Sequence, residues 1–250
     1  MVLYVAYKAP KDAKDRSLLP KRLRALGCVQ IRKSFWKAEE GNANKALKLL
    51  WKNRPVLLKR LREIREPRPM REKGAYELGS LVIVIYETTK EVKRERIRSF
   101  LRKAPCIRLC RAVYAFSEKH SLFDKNSELI DAGLFSQFIQ EIGGDVKVIP
   151  RTVIANPDSV EKLLEETREH VENIFSDIVQ RCKGLYQKVN VGEDVHHIRS
   201  LLSKLKKRYI KAKKVAGFYE KWLKIDFSKS VMMSYRALRK VYSIVKEKSV

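Results

Sequence analysis

Seven cations fall within eleven residues near the C-terminus: Lys204, Lys206, Lys207, Arg208, Lys211, Lys213 and Lys214, with Tyr209, Phe218, Tyr219 and Trp222 on or beside the same stretch. A second group, Arg16, Lys21, Arg22, Arg24, Arg32, Lys33 and Lys37, lies near the N-terminus with Phe35 and Trp36 among it. Cations at this density suit phosphate contacts, and aromatic rings beside them suit stacking on bases. Both groups also have a plainer use. Seven cations on one helix cannot all share a face, so part of the C-terminal run is a solvated surface, and the rings equally suit a core. Phe35 and Trp36 are neighbours on a strand-like run, so one of the two should point inward.

Other reactive side chains are sparse. Cys106 and Cys110 stand four apart in CIRLC and would share one side of a strand, while Cys28 opens the matching run upstream. With no CxxC pair present, these cysteines read as small buried hydrophobes before they read as zinc ligands. His196 and His197 adjoin Glu193 and Asp194, either as a solvated turn or as a metal site. Glu87 closes the apolar run VIVIYE as a lone acid. One carboxylate does not build a clamp of hard oxygen ligands unless two chains pair, and as a strand-end charge Glu87 would pair with Lys90 or Lys8. No Ser/His/Asp order, GxxxxGKS loop or GxGxxG run occurs. No cofactor is implied beyond a divalent metal held through Glu87.

The elements that must position these residues repeat. An apolar run (VLYVAYKAP), a basic helix-like stretch (RSLLPKRLRALG) and a second apolar run (CVQIRKSFW) recur as LVIVIYETT, VKRERIRSFLRKAP and CIRLCRAVYAF. The interval from Tyr7 to Phe35 equals that from Tyr86 to Tyr114. Such recurrence marks duplicated folding units. NANKALKLLWKN reads as a further helix of the first copy. ELIDAGLFSQFIQEIGG, stopped by Gly143 and Gly144, is its counterpart and leads into the strand-like DVKVIPRTVIAN. By that analogy Val56 to Ile64 is the last strand of the first copy, although its composition suits a helix as well. REPRPMREKGAYELGS, with two prolines and two glycines, reads as the connector.

After Asn156 the apolar residues step by three and four. Val160 to Leu185 marks one long helix, Val195 to Leu223 a second, and Val231, Met232, Tyr235, Leu238, Tyr242 and Val245 a third from about Ser228 to Lys248, with Asp226 or Ser228 as its cap. The short KVNVGED folds the first two into an antiparallel hairpin. The expected architecture is α+β: two tandem ferredoxin-like units, residues 1–75 and 76–156, followed by an all-α region, 157–250.

The 250 residues carry 55 Lys and Arg against 29 Asp and Glu, a net charge of +26. Residues 1–80 hold net +13 and 193–250 net +11, against +4 for 81–155 and −2 for 156–192. A chain this basic needs a polyanion, and nucleic acid, DNA or RNA, is the commonest one. The longest apolar run in the repeats is far short of the roughly 20 residues that span a bilayer, so no membrane helix is expected. The N-terminal stretch has no charged leader and reads as a strand instead of a secretory signal, which places the protein in the cytoplasm. Four scattered cysteines agree with a reducing compartment. Few Asn and Gln beside abundant Lys, Arg and Glu resembles hyperthermophile usage.

The order VIVIYE, RERIRSFLRK, IRLCRAVYAFSE resembles the small ferredoxin-like subunit of CRISPR adaptation complexes. YVAYKAP followed by RLRALGCVQIRKSFW is similar to the N-terminal region of ChrB-type chromate-resistance regulators. LLSKLKKRYIKAKKVAGFYEKWLKIDF, ending in Ile225, Asp226 and Phe227, resembles the helical segment that follows there. Both families act on or near DNA. The CRISPR likeness implies that the acid at the end of the first strand holds a divalent metal for phosphodiester cleavage; Glu87 matches that position, whereas the first copy has Lys8. The expectation is a nucleic-acid-binding regulator or architectural clamp, with the helical hairpin available for a homodimer. The alternatives are a metal-dependent nuclease and an interaction subunit of a ribonucleoprotein.

Overall fold

The computed structural model describes residues 2–69, 76–88, 91–118 and 129–247, and the chain divides into two compact units, Met1–Leu164 and Glu165–Val250. The connector boundary near residue 75 lies outside the described residues.

In the first unit the apolar runs form strands because their β-branched and aromatic residues suit a pleated surface buried on both sides. Chain order is β1 (Leu3–Ala6), α1 (Ala13–Ala25), β2 (Val29–Arg32), β3 (Phe35–Ala38), α2 (Glu40–Leu49) and β4 (Val56–Arg60). A two-stranded ribbon follows, β5 (Arg68–Pro69) with β6 (Tyr76–Glu77). The pattern then recurs as β7 (Leu81–Glu87), α3 (Glu91–Leu101), β8 (Cys106–Cys110), β9 (Val113–Ser117), α4 (Ala132–Glu141) and β10 (Asp145–Ile154). The ambiguous segment from Val56 is a strand that ends at Arg60.

One eight-stranded sheet holds all of this, in the order β2-β3-β1-β4-β10-β7-β9-β8, with every neighbouring pair antiparallel. The order reads outward from the β4–β10 seam the same way in both halves. Leu3, Val5 and Tyr7 pack under the helices of the first half, and Val82 and Val84 do so in the second. Tyr4 and Ala6, and likewise Leu81, Ile83 and Ile85, point to the opposite face and are buried too.

That second buried face follows from the shape of the sheet. Arg32, at the end of β2, forms an ion pair with Glu87, at the end of β7. In a flat sheet those strands would lie five spacings apart, roughly 24 Å. The sheet is therefore folded back on itself about the seam, and the non-helical faces of the two halves cover each other. β10 makes the fold: Asp145–Ile149 pair with β7, Thr152–Ile154 pair with β4, and a bulge lies between them. Arg151 within it takes a left-handed φ of 55°. Its backbone N–H donates to the buried Glu118 carboxylate at 2.8 Å, and its guanidinium donates to the Arg62 carbonyl at 2.9 Å.

The folded sheet also explains Phe35 and Trp36. Both are fully buried, Trp36 under the helices and Phe35 on the face that meets the other half. The equal intervals from Tyr7 and Tyr86 hide a one-residue shift. Phe35 pairs with Ala6, but it is Val113, not Tyr114, that pairs with the corresponding Ile85. Tyr114 therefore packs with Tyr86 and Phe135 on the helical side, in the place that Trp36 takes in the first half.

In the helical region α5 (Pro157–Val191), α6 (Val195–Leu223) and α7 (Ser228–Glu247) follow one another. Gly192, with φ of 85°, closes α5 where a side chain would be strained. Within the second unit, Phe175 of α5 contacts Tyr209 of α6, which also contacts Tyr235 of α7. Ser234 donates to the Phe175 carbonyl at 3.2 Å. Among the described residues no helix is long and apolar enough to cross a membrane.

Candidate nucleic-acid interface

The repeating apolar residues of α6, Ile198, Leu202, Leu205, Tyr209, Ala212, Ala216 and Tyr219, are all buried. Their helical spacing fixes where the cations go. Lys204, Lys207, Lys211 and Lys214 recur at three and four residues on the side opposite the buried stripe and are exposed. Lys206 and Lys213, also exposed, stand on the flank toward α7, where the Lys206 ammonium lies 5.6 Å from the Tyr242 ring. Arg208 stands on the other flank and pairs at 2.5 Å with Asp177 of α5, which also binds Arg181. Six of the seven cations thus face solvent, and the seventh ties α6 to α5.

Acid is scarce on this surface, and two of its three carboxylates are committed to the backbone. Between Val195 and Glu247 there are 15 Lys and Arg but only Glu220, Asp226 and Glu247. Glu220 accepts from the Phe227 N–H at 3.1 Å. Asp226 caps α7 by accepting from the Ser228 N–H at 2.8 Å, and that hydrogen bond lowers its carboxyl below the ordinary aspartate value.

The N-terminal group is more dispersed. Lys21 and Arg22 are exposed on α1, Lys33 at the β2–β3 turn and Lys37 on β3. Three arginines have internal roles. Arg16 donates to the carbonyls of Pro10 and Lys11 and fastens the loop before α1. Arg24 donates to the Gln30 side chain at 2.8 Å and lies 5.9 Å from the Trp36 ring. Arg32 is paired with Glu87.

The Arg32 hydrogen bond and charge, helped by Lys33, hold Glu87 below the ordinary glutamate value. The cation that pairs with Glu87 is thus Arg32, and Lys90 lies outside the described residues. Asp194, beside His196 and His197, caps α6 by accepting from both of their backbone N–H groups, at 3.0 and 3.3 Å. Neighbouring Glu193 pairs with Lys188 at 3.1 Å. None of the four cysteines forms a disulfide. Cys106 and Cys110 do not share a side, because the register of β8 shifts between Arg108 and Cys110. Cys106 packs toward the helices while Cys110 pairs with Val113 on the sheet's other face. Burial pushes both thiols up to about 12, which leaves them inert at neutral pH.

Most of the rings singled out by sequence belong to the core: Trp36, Phe35, Tyr209, Tyr219 and Trp222 are all buried. The exposed rings are elsewhere. Tyr235 and Tyr242 on α7 are 51% and 47% exposed, and Trp51 after α2 is 70% exposed beside Lys52. On α7 the inward positions are Ser234, Leu238, Val241 and Val245, so Met232, Tyr235 and Tyr242 do not belong to its core face. Their spacing with Arg239 and Lys246 was the signal available in sequence. Comparison with protein families, with curated proteins and with solved structures finds no match.

Proposed function

We propose that the chain binds nucleic acid by neutralising phosphates, as a regulator or architectural clamp. The observation that carries this reading is the α6 surface. Four lysines are aligned outward over nearly three turns, and residues 195–247 hold 15 Lys and Arg against three carboxylates. Lysines spaced along a rod about 15 Å long match a phosphate backbone better than they match a small anion. Such a surface supplies affinity without reading base sequence.

The scaffold reads as two tandem ferredoxin-like units fused through β4 and β10. Support comes from the strand-helix-strand-strand-helix-strand order of each half and the mirrored strand order. The likeness to ChrB-type regulators and to the CRISPR adaptation subunit belongs to the same proposal. The nuclease alternative is weaker, since a guanidinium already neutralises Glu87. Filter binding of purified, nucleic-acid-free protein to duplex and single-stranded DNA and RNA tests the reading. Retention of at least one of them at micromolar protein is expected, and retention of none overturns it.

A further inference from the structure

The groove between α6 and α7 differs from the outward lysine row in having rings on it. Tyr235, Arg239, Tyr242 and Lys246 recur at intervals of four, three and four residues, so they form one stripe along α7. The stripe borders α6, since Tyr235 contacts Tyr209 at 6.4 Å between ring centroids and Tyr242 receives the Lys206 ammonium at 5.6 Å. At one end a cleft of about 270 Å³ is lined by Arg199, Leu202, Tyr242, Val245 and Lys246. Among the described residues none of Arg199, Lys206, Arg239 and Lys246 has a carboxylate partner.

We infer that this groove takes a single-stranded nucleic acid, with bases stacked on Tyr235 and Tyr242 and phosphates held by Arg199, Lys206, Arg239 and Lys246. The inference rests on the nucleic-acid reading above and adds the strand state and the contact mode. From Tyr235 to Lys246 the groove runs roughly 17 Å, room for a short run of nucleotides. A duplex keeps its bases stacked on each other and offers these rings nothing, whereas a single strand exposes base faces to them. Helix axes at a packed pair lie only about 8–10 Å apart, which leaves the cleft too narrow for a duplex. Half-exposed tyrosines leave apolar ring faces in water, and a stacking platform gives those faces a use.

Fluorescence anisotropy with a labelled ten-nucleotide oligo(dT) and oligo(U), and with a duplex of equal charge, tests this. Y235A/Y242A is expected to weaken single-strand binding at least ~10-fold, leave duplex binding within about twofold and retain the wild-type circular dichroism. Y235F/Y242F is expected to restore single-strand binding, because phenylalanine keeps the stacking face. Ultraviolet cross-linking to oligo(U) is expected to label a peptide of α7, which reads the site even where a variant misfolds. Unchanged single-strand affinity in Y235A/Y242A, or cross-links confined to other elements, overturns the groove inference alone. Wild-type protein that binds no nucleic acid, or that prefers anionic vesicles to it, overturns the nucleic-acid reading and this inference with it.

Discussion

The Arg32 guanidinium and the Glu87 carboxylate meet across the two halves of one sheet, although the strands that carry them are five positions apart in its order. Their contact is evidence of how the repeats are arranged: the end of the first copy's β2 reaches the end of the second copy's first strand. It also assigns Glu87 a structural partner. With side chains 25% and 58% exposed, the pair is solvent-screened, and its contribution to stability is small.

Its electrostatic signature is measurable all the same. Glu87 is held below its ordinary value, first by the Arg32 hydrogen bond and then by its charge. A carboxyl with a depressed folded-state pKa contributes stability above its ordinary titration range and loses it as pH falls through the folded value. Carboxyl-detected NMR titration should find Glu87 below ordinary glutamates in the wild type and back among them in Arg32→Gln. A wild-type Glu87 titrating with the exposed glutamates would show that the pair does not form.

The turn into the second repeat depends on Gly79. Its φ is +72°, and a Cβ there would come within 2.7 Å of the Pro67 nitrogen and 2.8 Å of the Arg65 carbonyl. Gly79→Ala should cost about 2 kcal/mol or more, from backbone strain plus displacement of main-chain atoms that cannot swing away. Urea unfolding measures it, and a destabilisation under about 0.5 kcal/mol would contradict the packing described.

Asn156 anchors the start of α5. Its side chain accepts from the Leu57 N–H at 2.7 Å and donates to the Pro55 carbonyl at 3.1 Å, and Ser159 donates to that same carbonyl at 2.7 Å. Asn156→Ala leaves the half-buried Leu57 N–H of β4 unpaired and should cost about 1–3 kcal/mol. Asn156→Asp keeps the acceptor and removes the donors, so it should fall between the two in thermal denaturation. Equal midpoints for all three proteins would show that the Asn156 side chain anchors nothing.

The outward row is separable from the groove. K204Q/K207Q/K211Q/K214Q should weaken binding to every nucleic acid by similar factors and lower the salt slope by about one for each phosphate that is no longer neutralised. Anisotropy at several salt concentrations reads both quantities. An undiminished slope would place the neutralising cations elsewhere, with Lys21, Arg22, Lys33 and Lys37 the next surface to test.

Strands, helices and their repeat were legible because the apolar runs recur in one order and glycines punctuate them: Gly143 ends α4, and Gly192 ends α5 in the helical region. The fold-back of the sheet was not. It is specified by burial on both faces of β1 and β7, and a continuous apolar run looks the same whether a second layer is a helix or another sheet. The facing of Cys106 and Cys110 was hidden because a bulge inverts the alternation, and nothing in CIRLC announces it. At the interface, the α6 cations were visible as a run. The α7 rings were not, because Tyr235 and Tyr242 sit to one side of the true core stripe and fit an apolar periodicity equally well.

The salt dependence of nucleic-acid binding puts phosphate neutralisation to its sharpest test. The dissociation constant for one duplex or single-stranded probe is measured by anisotropy between about 50 and 200 mM salt, and log affinity is plotted against log salt. Six or more neutralised phosphates predict a straight line falling by on the order of a thousandfold or more across that range. A flat line would contradict binding through phosphates.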